Sequence, residues 1–170
     1  MKTFTLVALL LVLPTPSFAQ STAFDRAFPP LPTSARHAAS VASWATLGLA
    51  LSLDAARTLH DHCRYPATDC RRAWMMTGLR IGVNIGATSA IKRAVHRTRP
   101  CAPSCGVDAV DRSFPSGHTA LAFSTLGEGS VGTFVPLAVG TGALRVLAGK
   151  HYMSDVLAAS AIGIATSRIR

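Results

Sequence analysis

The feature that most narrows the possible folds is a long run of helix-forming sequence that almost nothing interrupts. From Arg36 to His60 the chain is rich in Ala, Leu and Ser, and Gly48 is its one breaker. Ala and Leu lose little on entering a helix, so this composition favours one long element. A second run, from Ala73 to Arg97, carries Gly78, Gly82 and Gly86 at every fourth position. That stripe of small residues would let another helix approach closely. Shorter helices are expected from Gly117 to Leu126, from Thr133 to Leu147 and from Ser154 to Ser167, with a break at Gly127-Glu128-Gly129. Nowhere does apolar and polar character alternate long enough for a strand. The chain reads as all-α: a compact helical bundle of about five helices, with its candidate site at helix ends.

The chain has 170 residues, which suits one domain with a real core. Its first residues follow the order of a secretory signal: Lys2, an apolar run from Phe4 to Leu13, then Pro14 to Ala19 with small residues at Ser17 and Ala19. The apolar run falls well short of the roughly 20 residues a membrane span needs, so cleavage before Gln20 is expected. Residues 1–19 are then a signal peptide and 20–35 a proline-punctuated extended arm, while 36–170 form the helical domain. Four cysteines fit an exported, oxidising setting such as the bacterial periplasm. Three pairings are open, and proximity favours Cys63 with Cys70 and Cys101 with Cys105. Neither pair has the spacing of a zinc site, so no metal is expected.

Seventeen Lys and Arg against 8 Asp and Glu give a net charge of +9, or 16 minus 8, +8, once Lys2 is removed. That balance suits phosphate-bearing partners, an anionic membrane surface or nucleic acid. With two Trp and two Tyr there is no evident stacking platform, which makes nucleic acid the poorer partner. Mean hydropathy is +0.33 and 49% of residues are hydrophobic. The uncharged stretch from His37 to Leu53 lies at the lower edge of what crosses a bilayer. A membrane helix and a buried helix of a soluble bundle both fit it.

Three short stretches carry chemistry. In Ser113-Phe114-Pro115-Ser116-Gly117-His118-Thr119, Pro115 and Gly117 force a turn, and the helix that follows points its unpaired N–H groups at that turn. A histidine there is well sited to work on an anion. The second long helix ends in Lys92 to Pro100, where Lys92, His96 and Arg99 share one face if the helix holds that far. Pro100 is expected to end it near Arg99. In Arg145 to Asp155, Gly149 should close one helix and the next should begin between His151 and Ser154. His151 and Asp155, four apart, can then face the same side, the carboxylate accepting from one imidazole nitrogen and leaving the other free to attack. Taken alone, each stretch also reads as a basic helix end or a surface pair.

Together, Lys92-x6-Arg99-Pro100, Pro115-Ser116-Gly117-His118 and Arg145-x5-His151-x3-Asp155 resemble the tripartite signature of the type-2 phosphatidic acid phosphatase and vanadium haloperoxidase superfamily. The motifs stand in the family's order. Leu144 occupies the position where the family usually has serine, which bears on the support of Arg145. The resemblance implies a phosphomonoester or pyrophosphate hydrolase that needs no cofactor. In it His151 attacks phosphorus, Asp155 orients it, and His118 protonates the leaving oxygen and then activates water. Lys92, Arg99, Arg145, Ser116 and the N–H of Gly117 hold the phosphate, with Lys150 a weaker neighbour and His96 without a role. A phosphorylated lipid or small phosphate ester is the implied substrate, the family's lipid-acting members being membrane-embedded. Competing readings are a soluble periplasmic acid phosphatase, a vanadate-holding haloperoxidase and a non-enzymatic basic protein that binds membranes.

Overall fold

The computed structural model describes residues 21–63, 67–105, 112–127 and 131–170. The expected signal peptide lies outside them, as do Glu128 and Gly129 of the expected break. Among the described residues the architecture is helical throughout: α1 (Ala23–Arg26), α2 (Thr33–His62), α3 (Ala67–Val95), α4 (Gly117–Ser124), α5 (Val131–Leu147) and α6 (Met153–Thr166). The all-α reading holds.

Two boundaries differ from expectation, each for a local reason. The arm is not wholly extended, because Thr22 and Asp25 form a capping box that closes the single turn of α1. The helix α3 stops at Val95 rather than near Arg99. His96 takes a left-handed backbone, φ 50°, which ends the helical path there. Lys92 and Arg99 therefore do not share a helix face, since Arg97 to Arg99 run on as irregular chain. At the far end of α5, Gly149 adopts φ 69° and closes the helix as its position suggested.

The packing pairs α2 with α5 and α4 with α6 most extensively, and α3 joins through α4 and α6. The apolar centre is built of Leu47, Ala122 and Ala138, with Leu51, Leu121 and Phe123 against them. Small residues permit the tightest approach, though not those singled out above. Gly163 of α6 lies so near Phe123 and the Ala120 carbonyl that any added Cβ would collide, and Gly142 of α5 meets Val156 in the same way. Around Gly78, Gly82 and Gly86 a Cβ would meet nothing within 4 Å, so the stripe on α3 contacts no other helix.

The reason is that α3 turns a polar stripe inwards. Arg80, Asn84 and Thr88 are buried along its middle, whereas Met75, Leu79 and Ile85 are exposed. Asn84 donates to the Ala120 carbonyl at 3.1 Å and to the Thr166 hydroxyl at 3.0 Å, which offsets its burial. Arg80 pairs with the buried Asp54 of α2. Disulfides join Cys63 to Cys70 and Cys101 to Cys105. The first ties the end of α2 to the start of α3. The second closes a small loop beyond Pro100, and that loop is fastened to the α5–α6 connection by the Cys101 N–H on the Gly149 carbonyl, 2.9 Å.

Candidate active site

All three motifs meet at one end of the bundle, where α3 finishes and α4 and α6 begin. Backbone hydrogen bonds fix the junction: the Ser113 N–H reaches the Arg97 carbonyl at 2.8 Å, and the Ser116 N–H reaches the Asp155 carbonyl at 3.2 Å. Motif residues far apart in sequence are thus held by main chain, not by side chains alone.

The Pro115 turn leads into α4 as expected, following a cis Phe114–Pro115 bond. Ser116 is its N-cap, fully buried, with its hydroxyl 2.9 Å from the Thr119 hydroxyl and 3.5 Å from the Thr119 N–H. The cap therefore engages the hydroxyl that the resemblance assigns to phosphate. Open space lies instead at Gly117, where a Cβ would meet nothing within 4 Å. That space faces the positive end of the α4 dipole.

The positive charges gather around this turn. The Lys92 ammonium donates to the carbonyls of Arg112 at 3.1 Å, of Ser113 at 3.5 Å and of Pro115. Burial and the nearby Arg99 and Arg145 lower its pKa to about 8, while Asp155 pulls the other way. Arg145, also buried, is lowered to about 10 by desolvation and then by Arg99. Its Nε has no hydrogen-bond partner, and Nη1 reaches only the Ser43 hydroxyl, at 3.4 Å. Ser43 of α2 supplies the hydroxyl that Leu144 cannot. Lys150 joins the group, with burial, Arg99 and Arg145 all lowering its pKa. His96 is exposed and lines a cavity of about 320 Å³ together with Lys92, Ser89, Arg93 and Arg112.

The two histidines are poised differently. His151 is buried, and its Nδ1 lies 2.7 Å from the Ser113 carbonyl oxygen. A carbonyl only accepts, so Nδ1 must carry the proton and Nε2 must carry the lone pair. The expected hydrogen bond from His151 to Asp155 is replaced by this one, because the carboxylate stands 3.7 Å from Nδ1. Asp155 acts on the imidazole through charge. It is itself held by the Ser113 hydroxyl at 2.5 Å, the Tyr152 N–H at 2.8 Å and Arg97. Burial opposes its ionisation, yet His151, Arg97 and Ser113 keep its pKa below the ordinary carboxylate value. Burial, then Lys92 and Arg145, bring His151 down to about 4 against the pull of Asp155. It is neutral at pH 7, the state in which an imidazole nitrogen keeps its lone pair.

His118 is lowered further, to about 3, by burial and by Arg145, His151, Lys92 and Arg99. Its Nε2 is buried without a hydrogen-bond partner. The Trp44 indole packs edge-on against its ring, centroids 4.0 Å apart. An anion arriving here meets an orphaned imidazole nitrogen, an orphaned guanidinium Nε and a surplus of positive charge. Such a site favours an anion. Among the described residues no group of His, Cys, Asp or Glu could hold a metal ion.

Sequence reasoning missed Trp44, Ser43, Ser113, Arg97 and Asp25. Ser113 was the most accessible, standing at the head of the turn. Trp44 and Ser43 sit in the uninterrupted first helix, where no local signal marks them. No family model matches the chain, and no curated protein or solved structure matches it either.

Proposed function

We propose that this protein is an exported phosphatase that hydrolyses a phosphomonoester or pyrophosphate through a phosphohistidine intermediate. One observation carries the reading: the hydrogen bond from His151 Nδ1 to the Ser113 carbonyl, which leaves Nε2 as a neutral, unprotonated nitrogen beside clustered cations.

In the first step His151 Nε2 attacks phosphorus, the N–P bond forms and the bond to the leaving oxygen breaks. His118 delivers its proton to that oxygen. Burial, then the repulsion of Arg145 and Lys92, keeps His118 neutral, and the negative charge of a bound phosphate offsets that repulsion and favours its protonated form. In the second step His118 takes a proton from water, the resulting hydroxide attacks phosphorus, and the N–P bond breaks to release phosphate. Lys92, Arg99 and Arg145 hold the non-bridging oxygens, which is the charge neutralisation metal ions provide in other phosphatases. The N–H groups at Gly117 add the helix terminus. Asp155 faces the imidazole that becomes positive once phosphorylated.

The exposed apolar side chains of α2 and α3 support a lipid-linked substrate presented at a membrane surface. Exposed Val41, Trp44 and Leu49 on α2, and Met75, Leu79 and Ile85 on α3, form apolar flanks, while polar residues are turned inwards. Only 28% of the most apolar stretch of α2 is buried. The two disulfides fit the periplasm or its membrane face.

The test is hydrolysis of p-nitrophenyl phosphate and of phosphatidate in vesicles, with EDTA present. Activity blocked by vanadate and abolished in His151→Ala is expected. Activity that survives His151→Ala ends the phosphohistidine reading of this site, and indifference to vesicles points to a soluble acid phosphatase instead.

A further inference from the structure

We propose that Asp25 and Arg97 are positioning residues for His151, which makes the N-terminal arm an integral part of the active site. The proposal rests on the phosphatase reading above and adds Asp25 of the arm and Arg97, a spacer position of the Lys92-x6-Arg99 stretch, neither of which the resemblance gives a role.

The geometry is a buried relay. Arg97 is 1% exposed. One of its terminal nitrogens lies 2.5 Å from an Asp25 carboxylate oxygen, and the other 2.5 Å from Asp155 and 2.7 Å from the Ser154 hydroxyl. Its guanidinium stacks over the Tyr152 ring, 4.3 Å from the centroid. The second Asp25 oxygen accepts the Ser154 N–H at 3.0 Å, so the arm caps the first turn of α6 from outside. From Asp155 the path continues through the Ser113 hydroxyl to the residue whose carbonyl fixes His151. The arm is pinned further along as well: the Leu31 N–H donates to the Leu147 carbonyl at 2.9 Å, and Arg36 donates to the Leu31 carbonyl at 2.8 Å.

Two physical consequences distinguish this from a plain ion pair. First, a guanidinium held at both terminal nitrogens cannot swivel, so Asp155 meets a fixed fork. Second, the charges of Asp25, Arg97 and Asp155 sum to −1. Without Asp25 the remaining pair is neutral, and the positive charge of a phosphohistidine has no net counter-charge beside it. With Asp25 the cluster keeps one negative charge where that intermediate forms. The cations that hold phosphate, Lys92, Arg99 and Arg145, are not part of the relay.

The experiment compares the full-length protein with Asp25→Asn, Asp25→Glu and Arg97→Lys, read by steady-state hydrolysis of p-nitrophenyl phosphate and by ¹⁵N imidazole NMR of His151. Asp25→Asn keeps the size of the side chain and is expected to lower kcat roughly 10- to 100-fold with KM within about twofold. Asp25→Glu should recover part of that loss, and Arg97→Lys, which keeps the charge and loses the fork, should reproduce it. A kcat within twofold of wild type for Asp25→Asn overturns the proposal. Should Asp25→Asn fail to fold, Arg97→Lys decides by the same criterion. The NMR arm is independent of activity. His151 should hold its proton on Nδ1 in the wild type and lose that preference in Asp25→Asn, and an unchanged His151 spectrum also overturns the relay. Failure of the phosphohistidine reading would show separately, as activity persisting in His151→Ala.

Discussion

The two ends of the bundle each bury carboxylates against arginines, and they do opposite things with them. At the end away from the motifs, Asp54 of α2 takes Arg80 from α3 and Arg57 from its own helix, and Arg57 lies over the Phe134 ring. Asp61, Asp69, Arg72 and Arg170 share the cavity of about 450 Å³ beside them. Positive and negative charges alternate there, and the ionic cluster ties helices together. At the motif end the acids of the site, Asp25 and Asp155, are both committed to Arg97. Burial, and then the charge of Arg99, lowers the pKa values of Lys92, Arg145 and Lys150 there, and Arg145, Lys92 and Arg99 bear on His118. Burial alone therefore does not mark a reactive site. What distinguishes the motif end is buried positive charge gathered beside two histidines, an arrangement that an incoming anion would relieve.

Substitutions can break or sharpen this contrast. The largest effect is expected for His151→Ala, which removes the nucleophile and should lower kcat by about 10³-fold or more in a phosphate ester assay. His118→Ala follows, with a loss of about 10²–10⁴-fold that should shrink for substrates with good leaving groups such as p-nitrophenol, which need no proton. Arg145→Ala removes one charge-assisted contact of about 1.5–3 kcal/mol and should cost roughly 10- to 150-fold in kcat/KM. Were Arg145 structural, like Arg80, its loss would appear in the melting temperature instead.

The pH profile should follow from the same crowding. With p-nitrophenyl phosphate, whose leaving group needs no proton from His118, the proposed nucleophile must be unprotonated, so kcat/KM should fall as pH drops through about 4, where His151 takes a proton. Lys92 must be charged, so kcat/KM should fall again as pH rises through about 8. A profile flat across both values would contradict the crowded site. The smallest effect on turnover belongs to the far end. Asp54→Asn removes the carboxylate that pairs with the buried Arg80 and should cost about 3–5 kcal/mol of stability by denaturant titration, with kcat of the folded fraction unchanged.

Much of this was legible in the chain. Ala-rich runs and the absence of strand periodicity define the helices, and Gly149 and the Pro115 turn mark where two of them stop and start. The short spacing of the cysteines matches the disulfides formed. Where reading along the chain misled, the cause was long-range. The glycine stripe on α3 promised a close helix partner, but burying Arg80, Asn84 and Thr88 turned it outwards. His96 ended α3 early, which local propensity does not reveal in a residue other than glycine. The His151–Asp155 spacing suggested a direct hydrogen bond, and the Ser113 carbonyl took it.

The sequence by itself determines the helical class, the turns and the residue types available for phosphate chemistry, because propensity, breakers and spacing are local properties. Which nitrogen of His151 is free, which hydroxyl supports Arg145 and which acid balances Arg97 depend on contacts between residues 38, 102 and 72 positions apart. Only folding brings those groups within hydrogen-bond range, so only the tertiary structure could decide them.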